Sequence, residues 1–305
     1  MKIAIFGAGA LGSLMGGLLS TKHEVTLVGR KPHTDAVNDN GLEISGVVEK
    51  TFHVGARTET IGMSPQDVVL ITVKAYDTEE ASRSIAPMVD SDTIVVSLQN
   101  GLDNVATISQ SYPSRTVGGV TSSGATFLAP GRIRFAGRGE TVFGSSVGRR
   151  DLAEMVCDAF NECGIDSRVT DDITAEVWMK VIVNASINPI TALVASENAC
   201  IEDEPDLRKL AETVCSEAEA VAKASGVRLP RCNPFGKVMS VVAATRNNRS
   251  SMLQDVEASR RTEIDEINGA IVTEAMKHGV SVPANETLWR LVRCLNIHSE
   301  RNRKR

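Results

Sequence analysis

An α/β protein, with an N-terminal Rossmann-type doubly wound parallel sheet and a second, all-helical C-terminal domain, is what this sequence predicts. Three observations predict it. A glycine-rich turn occupies residues 7–12, directly after one short β-prone run and ahead of another. Continuous apolar runs then alternate with helical segments. Beyond about residue 171 the strand signals vanish and long helical patterns take over. The division falls at 1–169 for the dinucleotide-binding domain and 170–305 for the helical, substrate-handling one, with 298–305 as a flexible tail.

The first unit is Lys2-Ile3-Ala4-Ile5-Phe6, the turn Gly7-Ala8-Gly9-Ala10-Leu11-Gly12, a helical stretch, and the run Val25-Thr26-Leu27-Val28. Strand, glycine turn, helix and strand in that order hold a dinucleotide pyrophosphate. Gly7 permits the tight turn, Gly9 lets backbone N–H groups approach the phosphates, and Gly12 allows close helix–strand packing. The helix N-terminus adds unpaired N–H groups and the positive end of its dipole. An NAD site places Asp or Glu about 20 residues past the glycines, to accept from the ribose 2′-hydroxyl. Here Arg30 stands 18 residues after Gly12, with Lys31 beside it and no acid. A cation there suits a 2′-phosphate, which points to NADP(H); the plainer reading is an ordinary loop charge after a strand.

Lys2 followed by uncharged residues 3–21 imitates a secretory signal, but three glycines in the apolar stretch and a strand straight after it argue against one. Other apolar runs, such as Val68–Val73, are too short to span a membrane, and a cytoplasmic protein is expected. A net charge of −5 gives no reason to expect nucleic acid or an anionic membrane as partner. The six cysteines include no CxxC pair and the five histidines form no cluster, so no metal is expected and buried, reduced thiols are the default. No histidine is well placed to be a general acid, so another group must supply any proton.

Further strands are read at Asp67–Val73, Thr93–Leu98 and Thr116–Val120, the first two apolar throughout as in a strand buried on both faces. Helical segments at Thr78–Ile85 and Asp103–Ser111 separate them. Arg132–Ala136 and Thr141–Phe143, straddling Gly137-Arg138-Gly139, read as a hairpin. In the second half, helices are read at Thr174–Ile187, Asp206–Ser225, Gly236–Arg246, Ala258–His278 and Asn285–Ile297. The breaks fall at Asn188-Pro189, Glu204-Pro205, Asn233-Pro234 and Val282-Pro283.

Ligands of an open α/β sheet lie beyond the carboxyl ends of its strands, where Lys74 and Asn100 stand. Lys74 could meet a phosphate or a carboxylate, and Asn100 a nicotinamide or substrate; Asn100-Gly101 is equally good turn chemistry. Lys180, Asn184 and Asn188 repeat every four residues, about 40° apart, and share one helix face. Buried polar residues need partners, though Asn188 before Pro189 is also an apt N-cap and Lys180 could be a solvated lysine. Farther on, Ile264, Ile267 and Ile271 define a buried stripe. Glu263 lies nearer to it than Asp265 or Glu266, which makes it the candidate functional acid, against the reading of an ordinary helix-edge charge.

At these residues the chain resembles the ketopantoate reductase (2-dehydropantoate 2-reductase) family over almost its whole length. The resemblance rests on the glycine motif, VKAYDT at 73–78, Gln99-Asn100-Gly101, the series Lys180, Asn184, Asn188 and Asn198, and Ser251 with the RRTEIDEINGA segment. It implies an enzyme that reduces ketopantoate to (R)-pantoate with NADPH, a step toward pantothenate and coenzyme A. On this likeness Lys180 is the general acid, and Glu263 accepts from the substrate's terminal hydroxyl and orders the pocket. Asn184, Asn188 and Asn198 bind hydroxyl and carboxylate groups, and Ser251 the carboxylate. Asn100 sits between cofactor and substrate, Arg30 and Lys74 hold the adenosine phosphate end, and Glu263 also borders the cofactor. An ammonium facing the nascent alkoxide supplies charge stabilisation and a proton, and desolvation should lower its pKa towards working pH.

One departure is Asp77, where the family often has a glutamine; either it points away from the phosphate or the cofactor preference is looser. Three other readings stay open: a paralogous NADPH reductase of another 2-oxo acid or ketone, a non-catalytic NADP-binding sensor, and an opine-type dehydrogenase. Glu263 and Ser251 favour ketopantoate over the first, and Lys180 in a complete polar ladder argues against the second. The lack of a placed histidine argues against the third. A homodimer is left open.

Overall fold

The computed structural model describes residues 1–303, which divide into two compact units. The first contains 1–99 and 103–173, the second 100–102 and 174 onward. In the first unit the chain runs through β1 (Lys2–Phe6), α1 (Ala10–Leu19), β2 (Glu24–Val28), α2 (Lys31–Asn40), β3 (Leu42–Gly46), β4 (Lys50–Phe52), β5 (Gly55–Arg57) and β6 (Val68–Ile71). It continues through α3 (Thr78–Ser84), β7 (Ile94–Ser97), α4 (Asn104–Ser111), β8 (Thr116–Thr121), β9 (Gly124–Ala129), β10 (Arg132–Gly137), β11 (Thr141–Gly144), α5 (Arg150–Glu162) and β12 (Ser167–Val169).

The main sheet has the order β12-β11-β8-β7-β6-β1-β2-β5. From β5 to β8 every pairing is parallel, which is the doubly wound dinucleotide-binding arrangement. β11 then joins antiparallel to β8, so the whole sheet is mixed. β6 and β7 are buried at every residue, as continuous apolar runs require in a sheet covered on both faces.

A second sheet, β4-β3-β10-β9, is absent from the sequence reading. β10 pairs with β9, not β11, across the two-residue turn Pro130-Gly131, where Gly131 has φ +73°. The hairpin expected between 132–136 and 141–143 therefore does not form, and the two segments belong to different sheets. The proline–glycine turn is the stronger reversal signal, because proline pre-sets φ and glycine accepts the positive value.

Helix α1 packs against both sheets, which explains glycines that would otherwise weaken a helix. A Cβ at Gly16 would meet Leu27 of β2 at 2.4 Å, and one at Gly17 would meet Ile44 of β3 at 2.6 Å. Of the six cysteines, all unpaired, Cys157 and Cys215 are buried while Cys232 and Cys294 are exposed, so burial is not general among the thiols.

The second unit is helical: α6 (Ile173–Val194, its first residue counted with the first unit), α7 (Cys200–Asp203), α8 (Pro205–Ala224), α9 (Pro234–Ala244), α10 (Ser251–Glu257), α11 (Ala270–His278) and α12 (Pro283–Arg303). The backbone of α12 thus runs through 298–303, assigned from sequence to a tail, and 304–305 lie outside the described residues. α6 is long and apolar enough to cross a membrane, unlike the shorter runs noted from sequence. Its most apolar window is 72% buried inside the protein, where it is the core of this unit.

Two helix assignments change. Asn188-Pro189 does not break α6, which passes straight through Pro189. The stretch 258–278 is not one helix: α10 ends at Glu257, Ser259 takes a positive φ of 52°, and a π-helical turn at Asp265–Gly269 precedes α11. Ser250 starts α10 by accepting from Leu253 N at 3.1 Å. Arg260 N then bonds Asp255 O at 2.7 Å and its side chain pairs with the Asp255 carboxylate at 2.9 Å, closing that helix early.

Candidate active site

The candidate site residues fall into a cluster in each unit. In the first, Gly7 leaves β1 at φ +110°, and its N–H and that of Ala8 both donate to Val28 O at 3.0 Å, fixing the turn to β2. A Cβ at Gly12 would stand 2.4 Å from Gly7 O and from Thr72 Oγ1, so glycine is required there by the protein itself. At Gly9 a Cβ would meet only Gly7 O, at 4.0 Å, so the space before it is open. No side chain caps α1 and no acid lies in its first turn. With exposed Gly9 and partly buried Ala10 and Leu11, this uncapped end is a fitting cradle for a dinucleotide pyrophosphate.

Sequence reasoning missed Thr72, whose hydroxyl donates to Gly7 O at 2.8 Å and braces the turn. A lone threonine in an apolar strand was the available signal. It also missed His33, which is buried, with Nε2 2.9 Å from Ser13 Oγ and Nδ1 accepting from Gly131 N at 2.9 Å. His33 thereby links α1, α2 and the second sheet's turn. Burial, with the Arg30 charge adding to it, holds its pKa below the ordinary histidine value.

Arg30 is exposed at the start of α2, at the carboxyl end of β2, and Lys31 pairs with Asp35 at 3.0 Å. Lys74 is partly buried and precedes a 3₁₀ turn at Ala75–Asp77; Asp77 is exposed. The segment is held from beneath by Gln99, whose Nε2 donates to Val73 O (3.1 Å) and Thr78 Oγ1 (2.7 Å). Thr78 Oγ1 lies 2.7 Å from Asn104 Oδ1, extending a buried polar network.

The second cluster lies wholly in the helical unit. Asn188 is buried, Lys180 and Asn184 are partly buried, and all three share one face of α6. Since α6 continues through Pro189, Asn188 is not an N-cap. The proline has no N–H for the Ala185 carbonyl, and leaving such a group buried and unpaired costs about 1–3 kcal/mol. Asn268 Nδ2 takes that place, donating to Ala185 O at 3.4 Å.

Glu263 is only 5% exposed, and Asn100 Nδ2 donates to its Oε2 at 3.1 Å. Although residues 258–263 are not helical, Glu263 is the most buried of the three acids the sequence offered. Burial pushes the Lys180 pKa down to about 8, opposed by the attraction of the Glu263 carboxylate. Glu266, set aside in the sequence as pointing away from the stripe, is pushed up to about 7, chiefly by burial; Arg261 opposes this, while Asp265 and Glu263 add to it.

Asn198 is buried, its Nδ2 donating to Thr245 Oγ1 at 2.9 Å, while its Oδ1 has no hydrogen-bond partner among the described residues. That orphan acceptor is the kind of group a ligand hydroxyl satisfies. Ser251 is exposed in the first turn of α10. The neighbouring Ser250 is buried and accepts from Thr191 of α6 at 2.8 Å. The structure therefore couples Asn100, Glu263 and Lys180, and places Asn198 and Ser251 on other segments of the same unit.

A dinucleotide cradle on a parallel sheet, with a buried glutamate and a lysine of lowered pKa in a helical unit, defines an oxidoreductase of the nicotinamide-dependent class. The chain belongs to the ketopantoate reductase PanE/ApbA family: that family matches residues 3–148, and its C-terminal region matches 172–296. The 2-dehydropantoate 2-reductase of Pyrococcus horikoshii is 40% identical, covering 96% of this chain and 97% of its own length. That of Archaeoglobus fulgidus is 37% identical, with coverages of 96% and 97%. A crystal structure of a PanE/ApbA family ketopantoate reductase from Ralstonia eutropha superposes with a TM-score of 0.91 at 29% identity, covering 98% of this chain and all of that one. D-mandelate dehydrogenase in its ternary structure with NADH and anilino(oxo)acetate gives 0.89 at 26% identity, again covering 98% and all of the other chain.

Proposed function

We propose that this protein reduces 2-dehydropantoate (ketopantoate) to (R)-pantoate with NADPH, in the cytoplasm, as a step toward pantothenate and coenzyme A. The observation that carries the reading is the buried Glu263, bonded to Asn100 and felt electrostatically by Lys180. Bound NADPH supplies the hydride. Lys180 donates its Nζ proton to the oxygen that gains charge as the carbonyl is reduced, and its pKa near 8 leaves it mostly protonated at neutral pH yet a willing donor. Glu263 accepts from the substrate's terminal hydroxyl, with Asn100 orienting its carboxylate. Asn184, Asn188 and Asn198 bind hydroxyl and carboxylate oxygens, and Ser251 the carboxylate.

The glycine turn from Gly7 to Gly12 holds the pyrophosphate. Arg30 and Lys74 hold the adenosine phosphates; the absence of an acid at the end of β2 supports NADPH over NADH. The test is dinucleotide oxidation measured against ketopantoate, 2-oxoisovalerate and pyruvate, with NADPH and NADH compared. Ketopantoate with NADPH is expected to lead by kcat/KM. A second reading, NADH-dependent turnover of a different 2-oxo acid, draws on the likeness to the NADH-bound D-mandelate dehydrogenase. A larger kcat/KM for 2-oxoisovalerate with NADH would select it.

A further inference from the structure

Within the helical unit, one buried side chain reaches α6 from the turn that follows Glu263. Asn268 is fully buried in the π-helical turn that follows Glu263. That turn is fastened to Glu263 and its neighbour through the backbone: Ile267 N donates to Glu263 O at 3.1 Å, and Gly269 N to Ile264 O at 2.9 Å. From this turn Asn268 Nδ2 reaches Ala185 O at 3.4 Å, the carbonyl that Pro189 leaves open between Asn184 and Asn188.

The orientation of that amide is set from its other side. Asn285 spends its Nδ2 on Val214 O (3.1 Å) and Glu217 Oε2 (2.9 Å), so its Oδ1 is left to accept from Asn268 Nδ2 at 3.1 Å. Glu217 is itself held by Ala284 N and Asn285 N at the start of α12. Asn268 Oδ1, by contrast, is buried with no partner among the described residues. A residue kept in the core with half its amide unsatisfied is being used for its donor.

We propose that Asn268 is a positioning residue, tying the turn fastened to Glu263 to the open carbonyl of α6 and so holding Glu263 in register with Lys180, Asn184 and Asn188. The inference rests on the reductase reading above, in which Glu263 reads the substrate hydroxyl. The proline matters to it: an ordinary residue at 189 would satisfy Ala185 O within the helix, and the tether would have no acceptor of its own. An aspartate at 268 would bring a second set of acceptors to Ala185 O and Asn285 Oδ1, with no donor for either.

Asn268→Ala separates from its structural consequences through the double variant Pro189→Ala/Asn268→Ala, in which the restored N–H at 189 takes over Ala185 O. The double variant is expected to regain most of the Tm lost in Asn268→Ala. Its kcat/KM on ketopantoate should remain down by about 10²-fold, with the drop mainly in kcat, as for a catalytic group misplaced by a fraction of an ångström to an ångström. On 2-oxoisovalerate, which has no hydroxyl for Glu263, the loss should be several-fold smaller, and NADPH affinity should not move.

Recovery of ketopantoate turnover together with Tm would overturn the proposal, as would equal losses on the two substrates, wild-type activity in Asn268→Ala, or failure of both variants to fold. The wild-type enzyme run in parallel keeps the two ideas apart. Inactivity of the wild type on ketopantoate counts against the reductase reading, whereas wild-type activity with an unaffected double variant counts against Asn268 alone.

Discussion

At the glycine turn the candidate binding groups are backbone N–H donors at the uncapped start of α1, set by six consecutive residues and braced by Thr72. At the lysine–glutamate cluster the candidate groups are side chains: Glu263 bonded to Asn100, with Lys180, Asn184 and Asn188 on one face of α6, and Asn198 and Ser251 on other segments of the unit. An arrangement of the first kind tolerates almost any side chain that does not intrude, because its donors belong to the backbone. The second depends on the identity and protonation of each group. Mutations should therefore act sterically in one cluster and chemically in the other.

The largest expected effect is chemical. Lys180→Ala should lower kcat by roughly 10²–10⁴-fold, as removal of a placed general acid does, with dinucleotide binding retained by titration. Its pH signature has a definite sign. The ammonium is the working form, so kcat/KM for reduction should fall as pH rises through about 8, not near the ordinary lysine value. Unchanged turnover above pH 9 would remove Lys180 from the acid role.

Next comes Arg30→Ala, which should weaken NADPH binding by about 1.5–3 kcal/mol, the worth of a charge-assisted contact. NADH binding should barely change, so the ratio of the two KM values reports the effect directly. Equal KM values in the wild type would sink the phosphate assignment.

The two glycines of the turn sharpen the comparison further. Gly12→Ala puts a methyl within 2.4 Å of Gly7 O and Thr72 Oγ1 and should cost about 1–3 kcal/mol of stability, or more if β1 cannot shift. Gly9→Ala meets nothing closer than 4.0 Å, so its Tm should be near wild type while dinucleotide affinity drops. If Gly9→Ala loses stability instead, its glycine serves the fold and not the ligand.

The smallest effect concerns His33. Its folded pKa lies below the unfolded value, so on acidification the unfolded chain takes up the proton first. The neutral ring's contribution is full above about pH 6.5 and declines as pH falls below it, levelling off once the folded pKa is passed. Denaturant midpoints from pH 7.5 to 5 should show this decline, reduced in His33→Gln relative to the wild type.

Legibility followed the range of the forces involved. The N-terminal strand–turn–helix–strand, the buried strands β6 and β7 and the helical second half were readable, because period and glycine spacing are local properties. Glu263 was readable as the acid nearest the apolar stripe, although the supposed helix around it is broken by Ser259 and wound into a π turn. The second sheet was not readable. β3 and β4 are short and partly exposed, and what holds them is a face packed on Gly17 of α1. Asn188-Pro189 misled for a related reason: the local rule ends a helix there, and the donor that replaces the missing N–H comes from the distant Asn268.

By itself the sequence determined the order of strand, glycine turn and helix, the position and number of candidate polar groups, and the lack of an acid at the end of β2. These follow from backbone conformational preferences and side-chain chemistry that act within a few residues. The tertiary structure decided which polar groups share a buried volume: Glu263 with Asn100, 163 positions apart, and Asn268 with the Ala185 carbonyl, 83 apart. It also decided how far burial lowers the Lys180 pKa, since desolvation depends on everything packed around a group and not on its neighbours in the chain.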